Sequence, residues 1–388
     1  MYFYKYQRMS ALNVSMLRHG EVFFASPKEL NDIHECKPQF IFSADAETWS
    51  RFIDKILLTL CMELELRPED ESAKSILSLN KKILSPILKG RKSRSINHQD
   101  LNNILGPIFS RAIISNINFK DAVAALKAFD YYMRKQLNDE LNDNYYISSF
   151  SKSAKNLTMW GHYGDAEKGY AIIYETVDGN VKIESSLSLF TNCCQDDDGI
   201  TRFNSSCSTT TKIMSLDYKS KPVRANGFTR LIHHFNYIDQ EEHYDLSQEL
   251  LSRLNNFSEE NIGWVKYTDW KYEKELRLHL PIYEEIPSSL RSIRISGKHI
   301  KGVIFGSRTS SEDKQNILSA LYQLKKSQKE DCEIYAFQAN PIPNLYKINV
   351  TILGRVINPE GRFIEKLESK HLNLKKEAMK IAEAINLS

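Results

Sequence analysis

The sequence has little of what assigns a protein's class at sight. It has no run of about eighteen apolar residues, so no membrane-spanning helix is expected. Cysteine is scarce: Cys36, Cys61, Cys193, Cys194, Cys207 and Cys332 are scattered over 388 residues. That excludes a disulfide framework and points to a reducing, cytoplasmic home. The opening twenty residues lack a basic segment followed by an apolar one, and read as mature structure rather than a signal peptide. An excess of one charge is missing too. At a net +3, the chain demands neither nucleic acid nor an anionic membrane.

Motifs that carry chemistry by themselves are also absent. There is no P-loop and no G-x-S-x-G nucleophile elbow. Cys193, Cys194 and Cys207 show no C-x-x-C spacing, and His233, His234 and His243 contain no i,i+4 pair, so zinc is not expected. The acids of "QDDDG" lack the calcium-loop pattern. Asp269 and Glu273 are not followed by E-x-K, which argues against a nuclease. No metal is expected.

What is present is a soluble composition, 41% hydrophobic and 26% charged, with alternating and helical patterns in blocks. Residues 2–6 predict a strand, 10–19 a helix closed by Gly20, and 21–27 a second strand. Between about 47 and 142 the apolar spacing turns helical, as at Phe52, Ile56 and Leu60, then Ile76, Leu79, Ile83 and Ile87. Breaks are expected at Pro68, Pro86, Gly90 and Gly106. The basic "KKILSPILKGRKSR" (81–94) reads as a solvated loop. Strands are predicted at 144–151, 168–175, 262–267, 270–280, 291–295, 301–306, 332–338 and 345–351. Helices are predicted at 157–164, 228–257 and 310–324, and a polar, mobile loop at 178–212. The fold class is α+β: a split mixed or antiparallel β core over 1–45 and 144–356, an all-helical insertion over 46–143, and a helical C-terminal appendage over 357–388.

The stretch "DWKYEKELRLHL" (269–280) stands apart. As one strand it would put Trp270, Tyr272, Lys274, Leu276, Leu278 and Leu280 on one face and Glu273, Glu275, Arg277 and His279 on the other. That charged face is either a solvated salt-bridge ladder or the wall of a cleft for a polar substrate.

Four blocks share this aromatic and charged mixture: Tyr4 to Tyr6; Ser26, Pro27, Asn31, Asp32 and Glu35; Met159, Trp160, His162, Tyr163, Lys168 and Gly169; and Trp270, Tyr272, Glu273, Glu275 and Arg277. Together they resemble a bacterial family of unknown function, domain-of-unknown-function family 2971. "IKGVIFG" (300–306) is similar to that family's closing strand. Where the family has Pro-Phe after Asn-Asp, this chain has Ile33-His34.

The layout also resembles the ADP-ribosyltransferase superfamily. That resemblance implies an ADP-ribosyltransferase-like core, NAD as substrate, and cleavage through an oxocarbenium-like state that a carboxylate stabilises. It implies Glu275, then Glu273, as the catalytic carboxylate, kept ionised by Arg277. Tyr163 or His162 would serve the nicotinamide or ribose, and Lys5 or Arg8 the phosphates. Tyr4, Tyr6, Asn31, Trp160 and Arg277 would complete the NAD-binding set, with Trp160 and Tyr163 reading equally as core. The modified target, protein or nucleic acid, is not specified. By analogy such stand-alone proteins suit toxin or phage-defence roles. The alternative is a non-catalytic module that binds a nucleotide or a protein.

Overall fold

The computed structural model describes the chain except residues 33, 142–145, 196–200, 236–261, 283–284, 328–332 and 358–362. The chain divides into two compact units. One comprises Met1–Glu35, Asn144–Ser220 and Gly263–Ser388, and the other Cys36–Asp143 and Lys221–Ile262. The fold is α+β.

The first unit is built on a nine-stranded sheet. Its order is Met214–Ser215, Glu275–His279, Ile147–Ser151, Tyr2–Gln7, Tyr170–Glu175, Ile300–Phe305, Tyr335–Pro341, Ile348–Val356 and Ile364–Glu365. Neighbours are antiparallel except Ile300–Phe305 and Tyr335–Pro341. A parallel pair needs a crossover, and the helix Ser311–Ser327 supplies it. One face of the sheet, with Phe3, Phe150, Ile172, Leu276 and Leu278, shares a core with that helix and with Val181, Ile183, Ile293 and Ile295. Those four come from a four-stranded antiparallel sheet of Ser208–Lys212, Asn180–Glu184, Ser292–Ile295 and Glu21–Phe23. The opposite face, with Tyr4, Tyr6, Ala171, Ile173 and Ile304, packs on Trp160 and on Ala378, Ile381, Ala382 and Ile385. Period-two alternation assigns residues of one strand to the two cores.

Several elements fall where the pattern puts them. The helix Ala11–His19 is capped by Ser10, whose side chain accepts from Asn13 N–H, and ends at Gly20. Others differ. Residues 178–212 are not one loop: Asn180–Glu184 and Ser208–Lys212 pair with each other, as do Phe190–Gln195 and Thr201–Ser206. The polar residues hid the alternation that buries Val181 and Ile183. The C-terminal helix Leu372–Leu387 is not an appendage, since four of its side chains complete a core.

The second unit is mainly helical: Ala46–Glu63, Glu71–Leu77, Asn80–Leu88, His98–Asn116, Phe119–Tyr131, Leu137–Leu141 and Gly227–Phe235. Helically spaced Phe52, Ile56, Leu60, Ile76, Leu79, Ile83 and Ile87 are fully buried. It is not wholly helical, because Ser93–Asn97 pairs with Gln39–Asp45, which also pairs with Arg224–Asn226. Thus 81–94 is no solvated loop but a helix, a turn and a strand's beginning, anchored by buried Ile83, Ile87 and Leu88. Pro86 and Gly106 lie inside helices rather than between them. Burial of Leu101, Leu105, Phe109, Ala112 and Ile113 along one face carries the second helix through its Gly-Pro pair. The predicted helix at 228–257 starts with Gly227–Phe235, and residues 236–257 lie outside the described set.

Candidate functional site

The 269–280 stretch is not one strand. Thr268–Glu273 forms a 3-10 segment, Lys274 takes a left-handed conformation (φ 45°), and the strand begins at Glu275. Two interactions fix this break: Ser151 Oγ donates to the Glu273 carbonyl at 2.7 Å, and Lys152 N–H to the Lys274 carbonyl at 3.0 Å. The break brings Glu273 and Glu275 onto one lysine that the motif reading left unassigned. Lys266, in the strand Val265–Tyr267, places its Nζ 2.7 Å from Glu273 Oε2 and 2.9 Å from Glu275 Oε2.

The charged face is therefore buried, not a solvated ladder. Glu273 and Glu275 are each 3% exposed and Arg277 is 0% exposed. Arg277 Nε donates to Glu275 Oε1 at 2.8 Å and its Nη1 to the Gly263 carbonyl at 2.6 Å, while its Nη2 pairs with Glu35. Glu35, buried, also lies 3.5 Å from Lys266 Nζ. Lys266 sits 5.0 Å from the centroid of the Trp270 ring. One connected set thus holds three carboxylates and two cations, with buried Asp32 a further negative charge acting on Arg277.

The electrostatics follow from burial opposed by pairing. Burial raises Glu275, with Lys266 acting against it. Burial pulls Lys266 down, but Glu275 and Glu273 outweigh it and the ammonium is held more firmly than in water. Burial likewise works against the Arg277 cation, yet a guanidinium against two carboxylates stays protonated.

Above this network opens a cleft of about 200 Å³, lined by Tyr4, Tyr6, Ser149, Ser151, Met159, Tyr163, Lys266, Glu273 and Glu275, with Asn31 at its edge. Tyr163 follows the short helix Leu157–His162, which is capped by the Asn156 side chain. Its hydroxyl donates to Glu273 Oε1 at 2.6 Å and accepts from Asn31 Nδ2 at 2.5 Å. Burial, then Glu273, keeps that phenol protonated. Asn31 itself is presented by a turn pinned to the core: Arg291 pairs with Glu29, and its guanidinium lies 5.1 and 5.3 Å from the ring centroids of Phe23 and Tyr146.

The predicted residues thus separate. Glu273, Glu275, Tyr163, Tyr4, Tyr6 and Asn31 share the cleft, and Arg277 supports it from below. Lys5 and Phe150 border it, but sheet alternation turns their side chains to the other face. There Lys5 Nζ donates to Ser148 Oγ and the Ser149 carbonyl, both at 2.9 Å, over the Phe150 ring. Burial pulls that amine down to about 8, with Glu275 opposing. Trp160 is fully buried, its indole N–H donating to the Ala154 carbonyl at 2.8 Å and its ring edge-on to Tyr6. It is core, with no face left to stack on a ligand. His162 is exposed and meets Tyr272 Oη at 3.2 Å, while exposed Arg8 donates to the His162 carbonyl. Both lie outside the lining. His279, at the end of the charged face, stacks on Trp264 at 4.0 Å.

Lys266 and Glu35 were the residues that motif reading left without a role. Lys266 lies just before the last aromatic and charged block, and Glu35 closes the second, but nothing in either block singles them out. Among the described residues no group of His, Cys, Asp and Glu is arranged to hold a metal, and no helix is long and apolar enough to cross a membrane.

No curated protein matches the chain, and no solved structure does. A family model described as a protein of unknown function (DUF2971) matches residues 159–278. That range holds Tyr163, Lys266, Glu273, Glu275 and Arg277, so the resemblance drawn from the Trp-His-Tyr and Trp-Tyr-Glu blocks is shown across the part of the chain that supplies the cleft's two carboxylates, its lysine and Tyr163.

Proposed function

We propose that the cleft cleaves the nicotinamide–ribose bond of NAD, as an ADP-ribosyltransferase or an NAD glycohydrolase. One observation carries this reading: a tyrosine hydroxyl and two carboxylates, drawn from separate segments, meet in one aromatic-walled opening. Bond breaking leaves positive charge on the ribose, and an ionised carboxylate beside it lowers the barrier. The two carboxylates differ in what they can offer. Glu275 has one oxygen on Lys266 and the other on Arg277. Glu273 has one oxygen on Lys266 and the other only on the Tyr163 hydroxyl. Glu273 is therefore the better choice for the ribose, with Lys266 holding it in place and Glu275 setting the position of Lys266. At about 200 Å³ the cleft is smaller than the roughly 300–1,000 Å³ of pockets that enclose whole ligands. It suits the nicotinamide end, with the remainder of the dinucleotide outside. A toxin or phage-defence role rests on analogy alone.

The test is incubation of the purified chain with NAD, with and without cell lysate, reading released nicotinamide and labelled macromolecules. Glu273→Gln is expected to lower turnover by about 10²–10³, a larger loss than it causes in NAD binding. A wild-type protein that releases no nicotinamide removes the enzymatic reading. The binding-module alternative has its own support, since Glu273 and Glu275 each already have a cationic partner. NAD binding without cleavage would favour it.

A further inference from the structure

The buried network beneath the cleft is out of balance. Among the described residues, Asp32, Glu35, Glu273 and Glu275 supply four carboxylates on this side of the sheet, against the cations of Lys266 and Arg277. Lys5 lies behind the sheet, close enough to Glu275 to feel its charge but bonded only to neutral serine groups. The tyrosines that face the network, Tyr163, Tyr218 and Tyr272, are all held protonated by burial and contribute no charge. Buried charge that is not compensated is costly, so a site of this kind carries an extra proton or attracts a cation. The walls meet the second demand. Tyr4, Tyr6 and Tyr163 line the opening, and aromatic faces attract cations most strongly where water is excluded.

We propose that the cleft recognises the cationic head of an organic ligand, ring-sized or smaller, which takes the place of a proton held by the carboxylate network. This deepens the NAD reading, whose pyridinium is such a cation, yet it depends on the cleft alone. The proton belongs to the coupled carboxylates as a set rather than to one of them. Entry of the cation beside Glu273 releases it to solvent, so the charge of the site is unchanged by binding. The exchange has a sign. Where the network is protonated, a cation must displace the proton, so affinity rises as pH rises.

The experiment is calorimetric titration of the full chain with the cation N-methylnicotinamide and with neutral nicotinamide, which share a ring and an amide. The cation should bind at least about tenfold more tightly at neutral pH. Its affinity should climb from about pH 5 towards pH 8, by no more than about tenfold per unit for one proton released, and the heat should vary with the buffer's ionisation enthalpy. Glu273→Gln should abolish the preference. Should that variant fail to fold, Lys5→Met tests the same electrostatics in the other direction: removal of a positive charge behind the sheet should tighten cation binding at the upper end of that pH range, where the network no longer holds the proton. Equal binding of the two probes, affinity that falls with pH, or weaker cation binding by Lys5→Met overturns the proposal. Nicotinamide release from NAD without cation preference would overturn it while sparing the enzymatic reading. Cation preference without NAD cleavage would do the reverse.

Discussion

Replacing Lys266 with Met tests whether the network is held together as the distances imply. Its ammonium touches Glu273 and Glu275 at 2.7 and 2.9 Å and lies 3.5 Å from Glu35. Methionine fills nearly the same volume and keeps the apolar stem, so packing is conserved while one charge is lost. Glu275 and Glu35 would then share Arg277, and Glu273 would keep the Tyr163 hydroxyl but no cation. Removing one partner from a buried ion pair costs about 3–5 kcal/mol, because the remaining charge stays buried and uncompensated. Three acids losing one cation belong at the upper end of that range. The assay is urea unfolding followed by tryptophan fluorescence, which weights the first unit, home to Trp160, Trp264 and Trp270, over the second, which has Trp49. The cost should depend on pH. Without Lys266 the carboxylates are raised in the folded state above their unfolded values. The folded variant then binds more protons than the unfolded chain, so its stability falls as pH rises from about 4.3 upward. The gap from wild type should be small near pH 4 and full by neutrality. A loss below about 1 kcal/mol, or a loss that does not change with pH, would refute the picture of a network held by charge.

Two further predictions concern neighbours of the cleft. Lys5 is held at about 8 by burial, below its unfolded value, so between about pH 8 and 10.4 the unfolded chain binds the extra proton and stability should rise with pH. Comparison of urea midpoints should show this rise in wild type and not in Lys5→Met. Gly169→Ala and Gly306→Ala should each destabilise by at least about 1–3 kcal/mol in thermal unfolding, since the added methyl would lie 2.1 Å from the Gln7 and Glu167 carbonyl oxygens respectively. Unchanged melting temperatures in both would show that the turn between His162 and Tyr170, which follows the cleft tyrosine, is looser than described.

The strands and helices were legible where apolar residues recur with a clean period. Tyr170–Glu175 and Ala46–Glu63 are examples, because burial itself creates the period. The pattern failed where polar residues carry alternation, as in Ser208–Lys212 with its run of threonines, and where a helix pays little heed to Gly or Pro because its buried face continues on both sides. It failed also at Leu372–Leu387. Lysines and glutamates are spread along that sequence, yet its apolar stripe at Ala378, Ile381, Ala382 and Ile385 is enough to close a core. Charge content describes the solvated face of a helix and says nothing about the other face.

The candidate site shows the same asymmetry more sharply. Alternation placed Glu275 and Arg277 on one face correctly, and it added Glu273 for a reason that does not hold, since Lys274 breaks the strand between them. The two carboxylates meet because a left-handed residue turns the chain and Lys266 waits for both. A lysine's partners depend on tertiary placement, so no local pattern marks Lys266 or Glu35. The fold itself gives the reason for their convergence. Glu35 is the last residue of the first unit before the chain first leaves it, and Gly263 is the first after the chain has left it a second time. Arg277 bonds to both, through Glu35's carboxylate and Gly263's carbonyl. The same guanidinium that fixes Glu275 therefore ties off two ends of the interrupted core. A side chain that must satisfy both tasks has to be buried, planar and always charged, which only arginine provides. Lys in its place could meet Glu275 or the chain ends but not both, so Arg277→Lys is expected to loosen the cleft even though the charge is kept.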